Sequence, residues 1–123
     1  MIDQATVSCG SVSSRSVDPS DPRKYIVNMT GVACNAQDVG ITLSGVHDTL
    51  GGTLANTAVT IGLLRGDTNN DRVVNTGDAL QSRNRSGQVM DGTNFRSDVN
   101  TDSFLNSGDT IIVRAASGTA IGP

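Results

Sequence analysis

The strongest constraint on this chain is an internal duplication with a period of 31 residues. Residues 65–87 align without gaps on residues 96–118, and ten of those 23 positions are identical. Internal repeats outrank other sequence signals because each copy must build the same unit. Most of the identical positions here carry oxygen donors. Asp67, Asn69, Asp71, Asn75 and Asp78 recur as Asp98, Asn100, Asp102, Asn106 and Asp109. A calcium ion takes six to eight oxygens at about 2.3–2.6 Å, and a 12-residue loop supplies them from positions 1, 3, 5, 7, 9 and 12. The first copy offers Asp67, Asn69, Asp71, the backbone carbonyl of Val73, Asn75 (often through water) and Asp78. The second offers Asp98, Asn100, Asp102, the carbonyl of Phe104, Asn106 and Asp109. Three carboxylates packed into one loop repel each other unless a cation joins them. The spacing therefore predicts two bound calcium ions.

Position 8 is apolar in both loops, Val74 and Leu105. It is expected to pack inward and to bridge to its twin. Short helices are predicted over 78–85 and 109–116, each stopping near Gly87 or Gly118, residues suited to a helix C-terminus. Position 6, where the chain turns sharply, is ordinarily Gly. Here it is Arg72 and Ser103, and a side chain in that conformation costs about 1 kcal/mol or more. Calcium affinity is expected to be lower for it, and unequal between the loops.

Composition narrows the alternatives. All 12 acids are Asp, and the bases are eight Arg and Lys24. One His and one Lys leave little material for acid–base or nucleophilic catalysis. The clustered Asp pairs read as metal ligands rather than as a glycoside-cleaving pair, and His47 reads as a turn residue. No enzyme is expected. With no Trp and one Tyr, Tyr25, there is no aromatic platform for sugars. A net charge of −3 argues against nucleic acid as a partner, and no apolar run reaches the roughly 18–20 residues that span a bilayer.

Residues 1–64 read as β structure. Apolar side chains alternate at Ala5, Val7 and Cys9; at Tyr25, Val27 and Met29; at Val39, Ile41 and Leu43; and at Val59, Ile61 and Leu63. Period two places each set on one face of a strand. Turn residues separate the runs at 18–22, 45–48 and 51–52. Four or five antiparallel strands with one apolar face are expected, and about 64 residues is a marginal core. Cys9 and Cys34 are expected to form a disulfide in an oxidising compartment. The first residues lack the basic-then-apolar pattern of a secretory signal, so a secreted protein would carry this chain as part of a longer one. Two glycosylation-type triplets begin at Asn28 and Asn84, and such triplets often arise by chance.

Residues 65–118 resemble a type I dockerin domain. The resemblance rests on two loops of the form Asp-x-Asn-x-Asp-x-x-x-Asn-x-x-Asp, each followed by one helix and lacking a leading helix. Asn at position 9 and Asp at position 12 are typical of that family. The strand-rich half more loosely resembles modules that precede such repeats in large secreted bacterial proteins. The resemblance implies docking to a cohesin through loop positions 10 and 11 and the helix that follows. The matching residues are Thr76, Gly77, Arg83 and Asn84, then Ser107, Gly108, Arg114 and Ala115. Gly at position 11 departs from the family's usual hydroxyl side chain.

The expected fold is α+β: a small antiparallel sandwich or half-sandwich, residues 1–64, packed on a dockerin-like pair of calcium loop–helix repeats, residues 65–123. The expected function is non-catalytic and calcium-dependent. The partner is a cohesin-like or other protein module, or the parent chain itself, and the setting is secreted or at a bacterial cell surface. The alternative is a calcium-stabilised C-terminal cap or adhesion module with no cohesin.

Overall fold

The structure is a computed structural model and describes residues 1–122. The fold is α+β, with antiparallel strands and two helices. The chain divides into two compact units. One joins Met1–Cys34 to Asp38–Ile61, and the other joins Asn35–Gln37 to the chain from Gly62 onward. The division falls at 61/62, three residues before the expected 64/65. Asn35 belongs to the second unit because its Oδ1 accepts the Arg65 backbone N–H at 2.7 Å.

The first unit holds seven strands instead of four or five. They are β1 (Gln4–Val7), β2 (Ser11–Asp18), β3 (Asp21–Thr30), β4 (Gln37–Ser44), β5 (Val46–His47), β6 (Thr53–Leu54) and β7 (Thr57–Leu63). The ends of β4 and β7 reach into the second unit. Strand β4 lies between β1 and β7. It pairs antiparallel with β1, Ala5 opposite Leu43. Strands β2 and β3 form a separate ribbon, and β5 and β6 a short third pair. The expected alternation in β3 is present, with Tyr25, Val27 and Met29 half-buried and the residues between them exposed. Strand β2 was invisible to a period-two reading. Val12 pairs with Met29 and Ser14 with Asn28, so two steps on β2 face one on β3. This bulge flips the parity, and Val12 and Val17 reach the same face five residues apart.

Apolar burial in this unit is thin: Ala5 and Val39 are its only buried hydrophobic residues among those described. The Cys9–Cys34 disulfide is formed and joins the chain after β1 to the chain after β3.

The second unit contains α1 (Thr76–Arg85), a 3₁₀ turn (Phe95–Ser97) and α2 (Ser107–Ala116). Both helices start two residues before the expected 78 and 109, because Asn75 and Asn106 are their N-caps. Its buried apolar residues are Val74, Leu105, Val113 and Ile121. The twin of Val113 is Ser82, also buried. The Ser82 hydroxyl meets Thr110 Oγ1 at 3.2 Å, so the polar group placed between the helices is satisfied.

Candidate metal centre

Each predicted loop is held by its own short polar side chains, since Asn and Asp hydrogen-bond nearby backbone amides and tolerate the left-handed region. In the first loop Asp67 accepts the N–H groups of Asp71 at 3.1 Å and Arg72 at 3.0 Å. Asn69 accepts Asp71 N–H at 2.9 Å, and Asp71 accepts Val73 N–H at 3.0 Å. Asn75 accepts Gly77 N–H at 2.6 Å. The second loop repeats this pattern bond for bond. Asp98 accepts Asp102 at 3.1 Å and Ser103 at 3.0 Å, and Asn100 accepts Asp102 at 3.1 Å. Asp102 accepts Phe104 at 2.8 Å, and Asn106 accepts Gly108 at 2.6 Å.

Position 12 closes each loop. Asp78 is fully buried, and its carboxylate accepts the N–H groups of Thr68 at 2.8 Å, Asn69 at 3.3 Å and Asn75 at 2.9 Å. Asp109 is also fully buried and accepts Val99 at 2.9 Å, Asn100 at 3.3 Å and Asn106 at 3.0 Å. Positions 9 and 12 thus form a capping box at the start of each helix. Asp78→Ala and Asp109→Ala should each cost about 2–4 kcal/mol, since three buried or part-buried amides lose their acceptor together with the cap. Urea unfolding measures this; a loss under about 0.5 kcal/mol would contradict the assignment.

Backbone conformation also repeats. Asn70 and Arg72, loop positions 4 and 6, have φ of 64° and 71°. Their twins Thr101 and Ser103 have φ of 59° and 70°. The left-handed turn at position 6 is therefore made without glycine in both copies. At position 7 the side chains of Val73 and Phe104 are 41% and 69% exposed, in keeping with a contribution from the main chain.

Positions 1, 3 and 5 of each loop offer two carboxylates and one amide as candidate oxygen ligands. In the first loop Asn69 Nδ2 donates to Asp71 Oδ2 at 2.9 Å. Asn100 Nδ2 donates likewise to Asp102 Oδ2 at 2.8 Å. Among the described residues no group of three His, Cys, Asp or Glu side chains converges as a metal cluster. A calcium loop draws part of its shell from amides, main-chain carbonyls and water, and this donor chemistry fits a hard cation.

Position 8 departs from expectation. Val74 and Leu105 are buried, but they do not bridge to each other. Each is clasped by the glycine after the other repeat's helix. Gly87 N–H donates to Leu105 O at 2.7 Å, and Gly118 N–H to Val74 O at 2.8 Å. Both glycines have positive φ, which aims their amides back across the pair.

Three of the remaining Asp residues, Asp18, Asp48 and Asp91, are turn formers for which sequence spacing gave no metal signal. Ser20 hydroxyl and amide donors hold the Asp18 carboxyl below its usual range. The Gly52 and Leu50 amides do the same for Asp48, and the Thr93 hydroxyl and amide for Asp91. His47, expected in a turn, lies instead on β5 opposite Thr53, with its Nδ1 2.8 Å from Gly45 O.

No family model, curated protein or solved structure matches the chain.

Proposed function

We propose that residues 65–122 form a non-catalytic, calcium-binding docking module of the dockerin type, carried by a secreted or cell-surface bacterial protein. One ion would be held by Asp67, Asn69, Asp71, the Val73 carbonyl, Asn75 and Asp78. The other would be held by Asp98, Asn100, Asp102, the Phe104 carbonyl, Asn106 and Asp109. Each ion would neutralise carboxylates that otherwise repel, and two would move the formal charge from −3 to +1. The observation that carries the reading is the identity of the two loops at the level of single hydrogen bonds and of φ at positions 4 and 6.

Docking is supported by what the helices leave in solvent. Leu80 and Ile111, twins in the repeat, are 54% and 66% exposed. Arg83 and Arg114, also twins, are exposed on the same helices. Paired apolar and guanidinium groups suit a protein partner, cohesin-like or otherwise.

The second reading, a calcium-stabilised cap without a cohesin, is favoured by position 11. A Cβ on Gly77 or Gly108 would lie 3.0 or 2.9 Å from the capping Asn75 or Asn106 Oδ1. Glycine there answers the cap geometry, with no reference to a partner.

One measurement tests the calcium sites that both readings share, and a second separates the readings. Calorimetry should find two calcium ions, and Asp67→Ala and Asp98→Ala should each remove about one. Immobilised cohesins should capture the chain in calcium, release it in EDTA, and lose it when Leu80 and Ile111 are both changed to Asp. Two bound ions with no capture by cohesins would favour the cap.

A further inference from the structure

We infer that the C-terminal segment, residues 118–122, is a structural part of the first loop, so that the first loop holds its calcium ion more tightly than the second. This rests on the calcium reading proposed above. The two loops are alike inside but not in what borders them. Beside the first loop, Val74 N–H donates to Thr119 O at 2.8 Å, Gly118 N–H to Val74 O at 2.8 Å, and Ile121 N–H to Arg72 O at 3.0 Å. Val73 and Ala120 form an antiparallel bridge. The Arg72 guanidinium donates to Gly122 O at 3.1 Å. Arg96 adds a bond to Asn70 Oδ1 at 2.8 Å. Both left-handed residues of the first loop are thus gripped from outside.

The repeat supplies its own control. Residues 87–90 are the twins of 118–121, and among the described residues they give the second loop one such bond, Gly87 N–H to Leu105 O. Ile121 is 9% exposed, but its twin Met90 is 38% exposed. Ala120 bridges to Val73, whereas its twin Val89 forms no such bridge among the described residues. The twin of Asn70, Thr101, turns its hydroxyl to the Asn100 carbonyl instead. Position 7 would lend a backbone carbonyl to the ion, and in the first loop that residue is held in an antiparallel bridge to Ala120. A donor fixed before the ion arrives loses less freedom on binding, and opening that loop to release the ion must first break the pairing.

Stopped-flow release of calcium to a fluorescent chelator tests this from the loaded, folded protein. Two phases are expected, separated by about tenfold or more. The slow phase should vanish in Asp67→Ala and persist in Asp98→Ala. Ile121→Ala should speed the slow phase by about tenfold and change the fast phase by less than about twofold, whereas the matched Met90→Ala should spare the slow phase. If Ile121→Ala fails to fold, Ile121→Val should give a smaller acceleration of the same phase. Independently of calcium release, amide exchange at Val74 should quicken in these variants while Gly87 is unchanged. One phase, a slow phase lost in Asp98→Ala, or equal acceleration of both phases overturns the inference and leaves calcium binding standing. No bound calcium in the parent chain overturns both.

Discussion

Chelation of calcium with EDTA is expected to unfold the loop–helix unit. Its buried apolar set is short: Val74, Leu105, Val113 and Ile121. Helix α1 places Ser82 and Asp78 at its buried positions, so helix packing contributes little hydrophobic stabilisation. A ligand at a thousand times its dissociation constant stabilises the state that binds it by about 4 kcal/mol. Two such sites give about 8 kcal/mol, comparable to the whole stability of a small domain. Removing the ions also restores repulsion among three carboxylates per loop. Far-UV circular dichroism in calcium and in EDTA should show the loss of the signal from α1 and α2. A spectrum and melting temperature unchanged by EDTA would falsify the calcium assignment.

Reduction of the Cys9–Cys34 bridge should be the second large effect. The bridge closes a loop with a sequence separation of 25 residues, for which chain entropy predicts a stabilisation of about 3.5 kcal/mol. The unit it closes buries only Ala5 and Val39 among its described hydrophobic residues, and a small core tolerates such a loss poorly. A fall of roughly 15–25 °C in the melting temperature of the strand signal is expected. Cys9→Ser should reproduce the effect of reductant, and reductant should then do nothing further. Equal melting of the oxidised and reduced chains would show that the strands hold themselves. Mass spectrometry with an alkylating reagent checks the bridge: two reactive thiols before reduction would exclude it.

Much of the candidate site was legible because its interactions are local. Asp67 reaches amides four and five residues ahead, and Asn69, Asp71 and Asn75 reach two ahead. Such Asx turns depend on spacing alone, so an oxygen donor at every second position was enough to place the loops. Helix α1 starts two residues earlier than the spacing predicts because Asn75, a ligand candidate, is also its N-cap. The same side chain satisfies either role, and the capping box with Asp78 extends the helix back to Thr76.

The strand half was legible only where alternation survived. Tyr25, Val27 and Met29 kept their period, whereas a bulge in β2 erased it. The partition of strands into three separate sheets, one of them centred on β4, depends on register between distant segments. No local pattern carries that register.

The sequence by itself determined the duplicated loops, the candidate oxygen ligand at each position, the two helices and the cysteine pair, because each follows from composition or short-range spacing. Only the tertiary structure decided what lies beside each loop. Val74 takes Thr119 and Gly118 as partners in place of Leu105, through main-chain groups that every residue shares and no side chain advertises. Those bonds make two copies of one motif inequivalent, and burial of Ile121 against exposure of Met90 records the difference.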